Sequence, residues 1–292
     1  MTTPYQQIPP QSGGTPHGPV AGSPGHFGYT SPIPARRAHL GDALASEWTK
    51  LRSVRSTVWT LGVMVALMLG IGLLVAVVIS VADGDLGDDS VLALGFFGVL
   101  LGSMCVITLG VLTISSEYGT GMIRTTLTAC PGRGRVLAAK SLVFFLLVFV
   151  VSTVTTLTVA ALQTSILNAP SPDGQEWFRA TVGVSLYLAV LGLLSLAVGA
   201  LVRHSAGAIT VMIGVMLLPL VLGMFMFADS LAKTREIMLG YNIPAQLIVF
   251  YSDGSAYTGR PGPHGWEPLW ILLGVTAVAM TGAFFSLDKR DA

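Results

Sequence analysis

Few side chains in this sequence are arranged to carry out chemistry, and the motifs of common enzymes are missing. The chain has no G-x-x-x-x-G-K-[ST] phosphate loop, so we do not expect it to bind and hydrolyse ATP by itself. It also lacks H-E-x-x-H and G-x-S-x-G, and no pair of His, Cys or carboxylate residues has the spacing of metal ligands. The sequence therefore predicts a protein with no catalytic residue, metal or cofactor.

The only two cysteines, Cys105 and Cys130, are predicted to be inert. The first lies in a long apolar run and the second in a polar loop that we place in the cytoplasm. A disulfide between them is not expected in that compartment.

The most informative polar stretch is the segment 115–140, which is much longer than a simple connection between helices. Glycines at 119 and 121 are predicted to end the helix that precedes it, because glycine is a poor helix former. Residues 122–129 can then form a short helix, which Pro131 ends.

The predicted helix 122–129 has the character of a docking element. Ile123 and Leu127 lie on one of its faces, where they can contact a soluble partner. Three basic residues follow it and lead back to the membrane: Arg133, Arg135 and Lys140. The residues alone leave a second interpretation open, because cytoplasmic loops are commonly basic.

The composition indicates the class of protein in which these residues are held. Hydrophobic residues make up 52% of the 292 residues and charged residues only 11%, whereas a soluble domain carries roughly 25% charged residues. A chain of this kind has too few charges to cover a soluble surface. The sequence predicts an integral membrane protein.

Six apolar runs are long enough to cross a bilayer, which takes roughly 20 residues in a helix. None has a Lys, Arg, Asp, Glu or His in its interior, and their length favours helices over barrel strands. The predicted spans are 58–81, 91–114, 141–167, 181–202, 208–228 and 268–287. The fold class is therefore an all-α membrane protein with six transmembrane helices.

The basic residues predict the orientation. Six spans place both termini on one side, and that side carries twelve Lys and Arg residues against four on the other. Positive charge is enriched in cytoplasmic segments, so both termini are expected in the cytoplasm of a multi-pass protein of the cytoplasmic membrane. The first outer loop agrees, with four aspartates and no basic residue.

An amphipathic helix is predicted before the first span. Leu40, Leu44, Trp48 and Leu51 follow one another at spacings of 4, 4 and 3 and so share one helical stripe. Tryptophan favours the membrane interface, and this pattern predicts an interfacial helix that continues into the first span. Alternatively, the basic residues beside this stripe serve only to fix the topology.

The first 39 residues differ from the rest of the chain. They contain half of the sixteen prolines, six glycines and no Asp, Glu or Lys. Such a segment cannot bury enough apolar surface to fold, and we expect a disordered cytoplasmic tail. It either has no dedicated role or docks a partner through its extended Pro-rich stretches. The transmembrane domain is assigned to 40–292.

Several features within and between the spans are predicted. Gly98 and Gly102 allow two helices to approach closely. The hydroxyls of the third span are expected to bond back to their own helix, although they can also line a substrate path. Pro219 lies inside the fifth span, and Pro244 is well placed to start a short half-inserted helix near 243–250.

The spans also argue against some functions. Ion-coupled transporters and membrane hydrolases usually carry ionisable groups inside the bilayer. The predicted spans contain none.

The sequence resembles the ABC-2 type permeases of ABC transporters, notably those of actinobacteria. The resemblance rests on SEWTKLRSVRSTVW before the first span, on the loop from Glu117 to Lys140, which begins E-Y-x-x-G-M-I-R-T-T-L-x-x-x-P-x-R, and on the C-terminal FFSLDKRDA. It covers residues from about 40 to the C-terminus and the six-helix count of such type V exporters. Gly121-Met122 departs from the family, in which Thr-Ile commonly stands. The Pro- and Gly-rich tail lies outside the resemblance.

The resemblance implies an exporter mechanism. A separate ATP-binding subunit would dock on the cytoplasmic face, and two permease subunits would pair as a homodimer or with a similar permease. The implied site is a coupling segment with the following residues: Glu117, Met122, Ile123, Arg124, Leu127, Arg133 and Arg135.

Two other functions remain as alternatives to the exporter. One is a membrane scaffold or sensor that binds a partner through the Pro-rich tail. The other is a secondary transporter or a channel, which the absence of charge within the spans disfavours.

Overall fold

The computed structural model describes residues 39–82, 90–122, 125–126, 132–167, 172–252 and 262–290, and these residues contain no strand. The predicted tail and the aspartates of the first outer loop lie outside the described residues, as does Cys130. The helices are α1 (Leu40–Ser53), α2 (Arg55–Val81), α3 (Phe96–Gly119), α4 (Arg133–Leu167), α5 (Gly174–Phe178), α6 (Val184–Val202), α7 (Ser205–Phe225), α8 (Ala232–Tyr241), α9 (Ile243–Ile248) and α10 (Glu267–Arg290).

Within the described residues, six helical segments are long and apolar enough to cross a membrane, which confirms the predicted number. A helix satisfies its own backbone hydrogen bonds, so it is the form that such apolar runs take in lipid. The six segments are Arg55–Val81, Val91–Gly119, Gly134–Leu167, Gly174–Val202, Ser205–Phe225 and Glu267–Leu287.

Several helices are longer than the apolar runs that predict them. Helix α3 ends at Gly119, where the glycines were predicted to end it, whereas α4 already begins at Arg133, inside the segment that was expected to be a loop. The fourth membrane segment begins at Gly174 and so includes Arg179, which the predicted span 181–202 leaves out. Apolar composition marks the part of a helix that lies in lipid, whereas helical hydrogen bonding continues beyond it.

The centre of the bundle is α6, most of which is buried. It packs against α3, α4, α7 and α10, while α2 packs against α3 and α4. Much of the surface of α2, α7 and α10 is apolar and exposed. These faces are available to lipid or to another membrane subunit.

Glycines allow the central helices to approach closely. A Cβ at Gly98 would lie 2.7 Å from the carbonyl oxygen of Met68, which confirms the predicted close approach at this position. A second contact, which sequence reasoning missed, joins α3 to α6: a Cβ at Gly110 would lie 2.5 Å from the carbonyl oxygen of Gly192. A larger residue at either position would force the backbones apart.

Helix α1 forms as predicted but does not continue into the first span. The Asp42 side chain accepts a hydrogen bond from the His39 backbone N–H at 2.9 Å, which stabilises the start of the helix. Val54 has an extended conformation (φ −79°, ψ 112°) and separates α1 from α2. The expected continuous helix is therefore interrupted at this one residue.

The end of the bundle next to α1 also contains the C-terminus of α3, the N-terminus of α4 and the turn between α6 and α7; it is called the α1 end below. In that turn Arg203 adopts a left-handed conformation with φ 57°. His204 is exposed, and its Nδ1 accepts the Gly207 backbone N–H at 3.1 Å. This histidine therefore caps the start of α7.

At the opposite end, the segment 242–252 folds into the bundle and is called the cap below. Asn242 Oδ1 accepts the Ala245 backbone N–H at 2.7 Å, and Pro244 lies in the first turn of α9, as predicted. Leu247 and Phe250 are buried in the main hydrophobic core. The half-inserted helix predicted near 243–250 is present in this buried form.

The hydroxyls in the middle of the third span form hydrogen bonds within α4. Ser152, Thr153, Thr155 and Thr158 each donate to the carbonyl four residues earlier at 2.7 Å. This confirms the predicted back-bonding. Pro219 lies inside α7, where it removes one helical hydrogen bond.

Candidate functional site

Four charged side chains meet at the α1 end and are called the ion cluster below. The Lys50 Nζ lies 2.7 Å from Glu47 Oε1 and 3.1 Å from Glu117 Oε1. The Lys140 Nζ lies 2.6 Å from Glu47 Oε2 and 2.9 Å from Glu117 Oε1. Each lysine thus contacts both glutamates, and the four charges sum to zero.

Three helices bring these side chains together. Glu47 and Lys50 are three residues apart on α1, so they project from the same face of that helix. Glu117 comes from the last turn of α3, and Lys140 lies in the third turn of α4. The ion cluster therefore ties α1 to the two helices that flank the connection 120–132.

The ion cluster is largely removed from solvent. The side chains of Glu47 and Lys140 are each 3% exposed, that of Glu117 is 7% exposed and that of Lys50 is 27% exposed. A buried charge is costly unless a charge of opposite sign and hydrogen bonds compensate it. Here each charge has two partners of opposite sign, so removing any one side chain leaves two like charges that share a single counter-charge.

The hydrogen bonds of the two lysines are all in use. An ammonium group has three donors. Beyond the two glutamates, Lys50 donates to Thr126 Oγ1 at 3.4 Å and Lys140 donates to the Thr113 carbonyl at 3.5 Å. The Oε2 atom of Glu117 is buried and has no hydrogen-bond partner among the described residues. The ion cluster therefore has no lysine hydrogen left to donate, whereas one carboxylate oxygen can still accept a hydrogen bond.

The pairing shifts the protonation of the two α1 residues. Burial raises the pKa of Glu47, but the charges and hydrogen bonds of Lys140 and Lys50 outweigh it, and the pKa lies below its ordinary value. Burial lowers the pKa of Lys50, but Glu47 and Glu117 outweigh it and raise the pKa overall. Both shifts favour the charged forms.

Sequence reasoning missed Glu47 and did not connect Lys140 with Glu117. A signal for Glu47 was present, because Leu44, Glu47 and Leu51 follow at helical spacings of 3 and 4. A glutamate at an apolar position of an amphipathic helix indicates a buried partner of opposite charge. Identifying that partner requires the fold, since Glu47 and Lys140 are 93 residues apart.

The predicted coupling residues are only partly described. Glu117 is buried in the ion cluster, Met122 is 46% exposed and Arg135 is exposed. Met122, Thr125 and Thr126 are helical, in line with the short helix predicted over 122–129. Three of the predicted residues, Ile123, Arg124 and Leu127, lie outside the described residues, as does the side chain of Arg133.

The predicted interfacial stripe does not face one environment. Leu40 and Trp48 are 47% and 49% exposed, Leu44 is partly buried, and Leu51 is buried at 7%. The buried face of α1 is formed by Glu47 and Leu51 and contacts α2 and α4. Contact of Leu40 and Trp48 with the membrane surface stays a prediction.

The described residues contain no group of three or more His, Cys, Asp or Glu side chains that could hold a metal ion. Within the same residues, Cys105 is a free thiol, partly buried in α3.

Comparison with known families assigns the chain. A family model described as "ABC-2 family transporter protein" matches residues 89–292, which is more than two thirds of the sequence. The chain belongs to the ABC-2 family. It is a multi-pass membrane permease of the ABC transporter type, and the family implies pairing with an ABC ATP-binding subunit. No curated protein sequence matches the chain.

The matched region divides the ion cluster of this ABC-2 protein. Glu117 and Lys140 fall within residues 89–292, whereas Glu47 and Lys50 on α1 precede them. The resemblance noted before the first span therefore concerns a part of the chain that the family match does not cover.

Proposed function

We propose that this ABC-2 protein is the permease subunit of an ATP-driven exporter and that its α1 end faces the cytoplasm. The orientation is supported by the twelve basic residues on that side of the six spans, against four on the other. In this orientation the protein lies in the cytoplasmic membrane with both termini inside, and α1 follows the membrane surface.

The observation that carries the proposal is the position of the ion cluster. It joins α1, the end of α3 and the start of α4 through side chains, and Lys50 also contacts Thr126 in the connection between α3 and α4. These are the elements that a docking ATP-binding subunit would contact. A displacement of the connection would therefore be transmitted to three helices at once.

The proposed mechanism follows from this arrangement. Closure of the ATP-binding subunits would push on the segment 122–129, in which Ile123 and Leu127 supply the apolar contact. Glu117 would hold the end of α3, and the basic residues would orient the coupling segment: Arg124, Arg133 and Arg135. Two permease subunits, either identical or similar, would then move together to export the substrate.

The docking claim is tested by complex formation with the ATP-binding subunit. Ile123→Asp and Leu127→Asp introduce charge on the proposed contact face and are expected to abolish co-purification and the stimulation of ATPase activity. Ile237→Asp is the matched control, because Ile237 is 46% exposed on α8 at the opposite end of the bundle. Undiminished stimulation in the Ile123 and Leu127 variants would overturn the assignment.

The orientation is tested by cysteine labelling in a background without Cys105 and Cys130. Thr49→Cys on α1 and Lys233→Cys on α8 place thiols at exposed positions on opposite ends. An impermeant maleimide is expected to label the α8 position in intact cells and the α1 position only after permeabilisation. The reverse pattern would invert the proposed topology.

A further inference from the structure

A cavity of about 360 Å³ lies beside the ion cluster, between α1, the start of α2 and the end of α3. This volume is within the range of small-molecule sites, roughly 300–1,000 Å³. A single bridging water needs only about 10–15 Å³ of such space, so the cavity is far larger than one water requires. The cavity is therefore large enough for a sizeable chemical group.

One side of the cavity is apolar and the other is formed by hydroxyl groups and Glu117. Leu51, Leu109 and Leu112 supply the apolar side. Several of the hydroxyls have already given their hydrogen to their own helix: Thr60 donates to the Ser56 carbonyl at 2.8 Å, and Thr113 donates to the Leu109 carbonyl at 2.7 Å. Their oxygens can only accept a further hydrogen bond.

The charged part of the lining also accepts rather than donates. The ammonium groups of Lys50 and Lys140 each have three partners and no free donor. Glu117, which is 5% exposed, lines the cavity and has one carboxylate oxygen with no hydrogen-bond partner among the described residues. That oxygen has almost no accessible surface, so the acceptors that a bound group can reach are the hydroxyl oxygens of the lining. A ligand with a net negative charge would therefore find no free ammonium hydrogen to offset that charge.

The depth of the cavity in the membrane indicates where its occupant comes from. Thr57 and Thr60 lie in the first turns of the first span, and the lining residues Leu109 to Glu117 lie in the last turns of the second. Trp59, next to Thr60, is 75% exposed, and tryptophan is enriched at the level of lipid head groups. The cavity thus lies where the polar and apolar parts of a lipid meet.

We propose that this cavity binds a phospholipid with a primary ammonium head group from the leaflet on the α1 side. The ammonium N–H groups would donate to the hydroxyl oxygens beside Glu117, and the start of an acyl chain would contact the leucines. This lipid would brace α1 against α2 and α3. The proposal is independent of the direction of transport and of the ATP-binding partner.

The test compares two lipids of equal head-group charge. The full-length protein is reconstituted in vesicles that contain equal amounts of phosphatidylcholine, phosphatidylethanolamine and phosphatidylglycerol. It is then extracted in mild detergent, and the lipids that stay bound are identified by native mass spectrometry. Phosphatidylcholine has a quaternary ammonium without an N–H donor. We expect one retained phosphatidylethanolamine per chain, at least about tenfold preferred over phosphatidylcholine, since a charge-assisted hydrogen bond is lost with the latter.

A cavity-filling substitution links that preference to this site. Thr60→Trp is expected to abolish the preference, and Thr281→Trp is expected to keep it, because Thr281 is an exposed, back-bonded threonine on α10 that does not line the cavity. Equal retention of phosphatidylethanolamine and phosphatidylcholine, or preferred retention of phosphatidylglycerol, would overturn the proposal. So would a preference that persists in the Thr60 variant. ATP-driven transfer of the bound lipid to the opposite leaflet would make it cargo and overturn its assignment as a resident lipid.

Discussion

The two ends of the bundle are held together by different chemistry. At the α1 end, four side chains from three helices neutralise one another in the ion cluster. At the opposite end, the Arg179 Nη2 donates to the carbonyl oxygens of Val249 and Ser252, each at 2.8 Å. Tyr187, fully buried in α6, donates to Gln246 Oε1 at 3.1 Å. Both Arg179 and Tyr187 therefore fasten the cap.

This difference indicates how each end responds to force. The ion cluster depends on every one of its members, so moving α1 or the connection after α3 disturbs all of its pairs together. The cap is held chiefly through backbone carbonyls, which are present whatever the residue type. We infer that the α1 end is suited to rearrange on contact with a partner, whereas the cap keeps its position in the bundle.

The largest effect is expected from removing one cation of the ion cluster. Lys140→Met leaves Glu47 and Glu117 underneutralised in a buried site and should lower the free energy of unfolding by about 3–5 kcal/mol. Unfolding in mixed micelles, followed by tryptophan fluorescence, measures this loss. Lys289→Met, at an exposed position on α10, is the control. Equal losses in the two variants would show that the ion cluster does not stabilise the α1 end.

A smaller effect is expected at the cap. Arg179→Met removes both hydrogen bonds to the cap, but it leaves only neutral carbonyls unpaired rather than buried charges, so the expected loss is about 1.5–3 kcal/mol in all. Proteolysis near the cap should accelerate while the α1 end keeps its protection. Lys233→Met, exposed on α8, serves as the control. If Arg179→Met destabilises the protein more than Lys140→Met does, the ranking of the two ends is wrong.

Loss of a single neutral hydrogen bond should lower the free energy of unfolding less than either of these two substitutions. Tyr187→Phe keeps the ring and removes only the donor to Gln246, with an expected cost of about 1 kcal/mol. The same unfolding measurement in micelles is used. A second substitution, Gln246→Leu, removes the other partner and should add little to the first, because the two residues share one bond. Fully additive losses would indicate that the contact is not formed.

The smallest effect near neutral pH concerns protonation of the ion cluster. The pKa of Glu47 is lowered from 4.5, so its contribution to stability is complete above about pH 4.5 and is lost as the pH falls through the lowered value. The pKa of Lys50 is raised from 10.5, so its contribution is complete below about pH 10.5 and is lost as the pH rises through the raised value.

Comparing unfolding midpoints of the wild type and Glu47→Gln against pH measures the contribution of Glu47. The difference between the two proteins should be constant between about pH 5 and 9 and shrink in more acidic solution. A difference that grows toward acidic pH would contradict the lowered pKa of this carboxyl group.

The sequence was sufficient to predict the spans, because the apolar runs are long and free of charge. Local rules also predicted the close approach at Gly98 and the helix start at Pro244. The helix ends were predicted less well: Arg133 and Arg179 are helical although they are charged, since a helix extends beyond the apolar part of its sequence. Composition alone does not reveal this.

The ion cluster itself could not be predicted from spacing. Glu117 was predicted as a coupling residue, and Glu47 can be suspected from its place among leucines, but their pairing with Lys140 depends on how α1, α3 and α4 pack. Arg179 poses the same problem, because its acceptors are carbonyls 70 and 73 residues away. Every residue has a backbone carbonyl, so the residue types do not show which carbonyl accepts a hydrogen bond.

The charge balance of the ion cluster has a consequence for association in solution. Two positive and two negative charges arranged alternately produce a potential that cancels within a short distance, so a protein approaching the α1 end does not sense them. The exposed guanidinium groups of Arg52, Arg55 and Arg135 supply the far-reaching positive potential on that face. The salt dependence of the association rate should therefore report these arginines and be insensitive to the four buried charges.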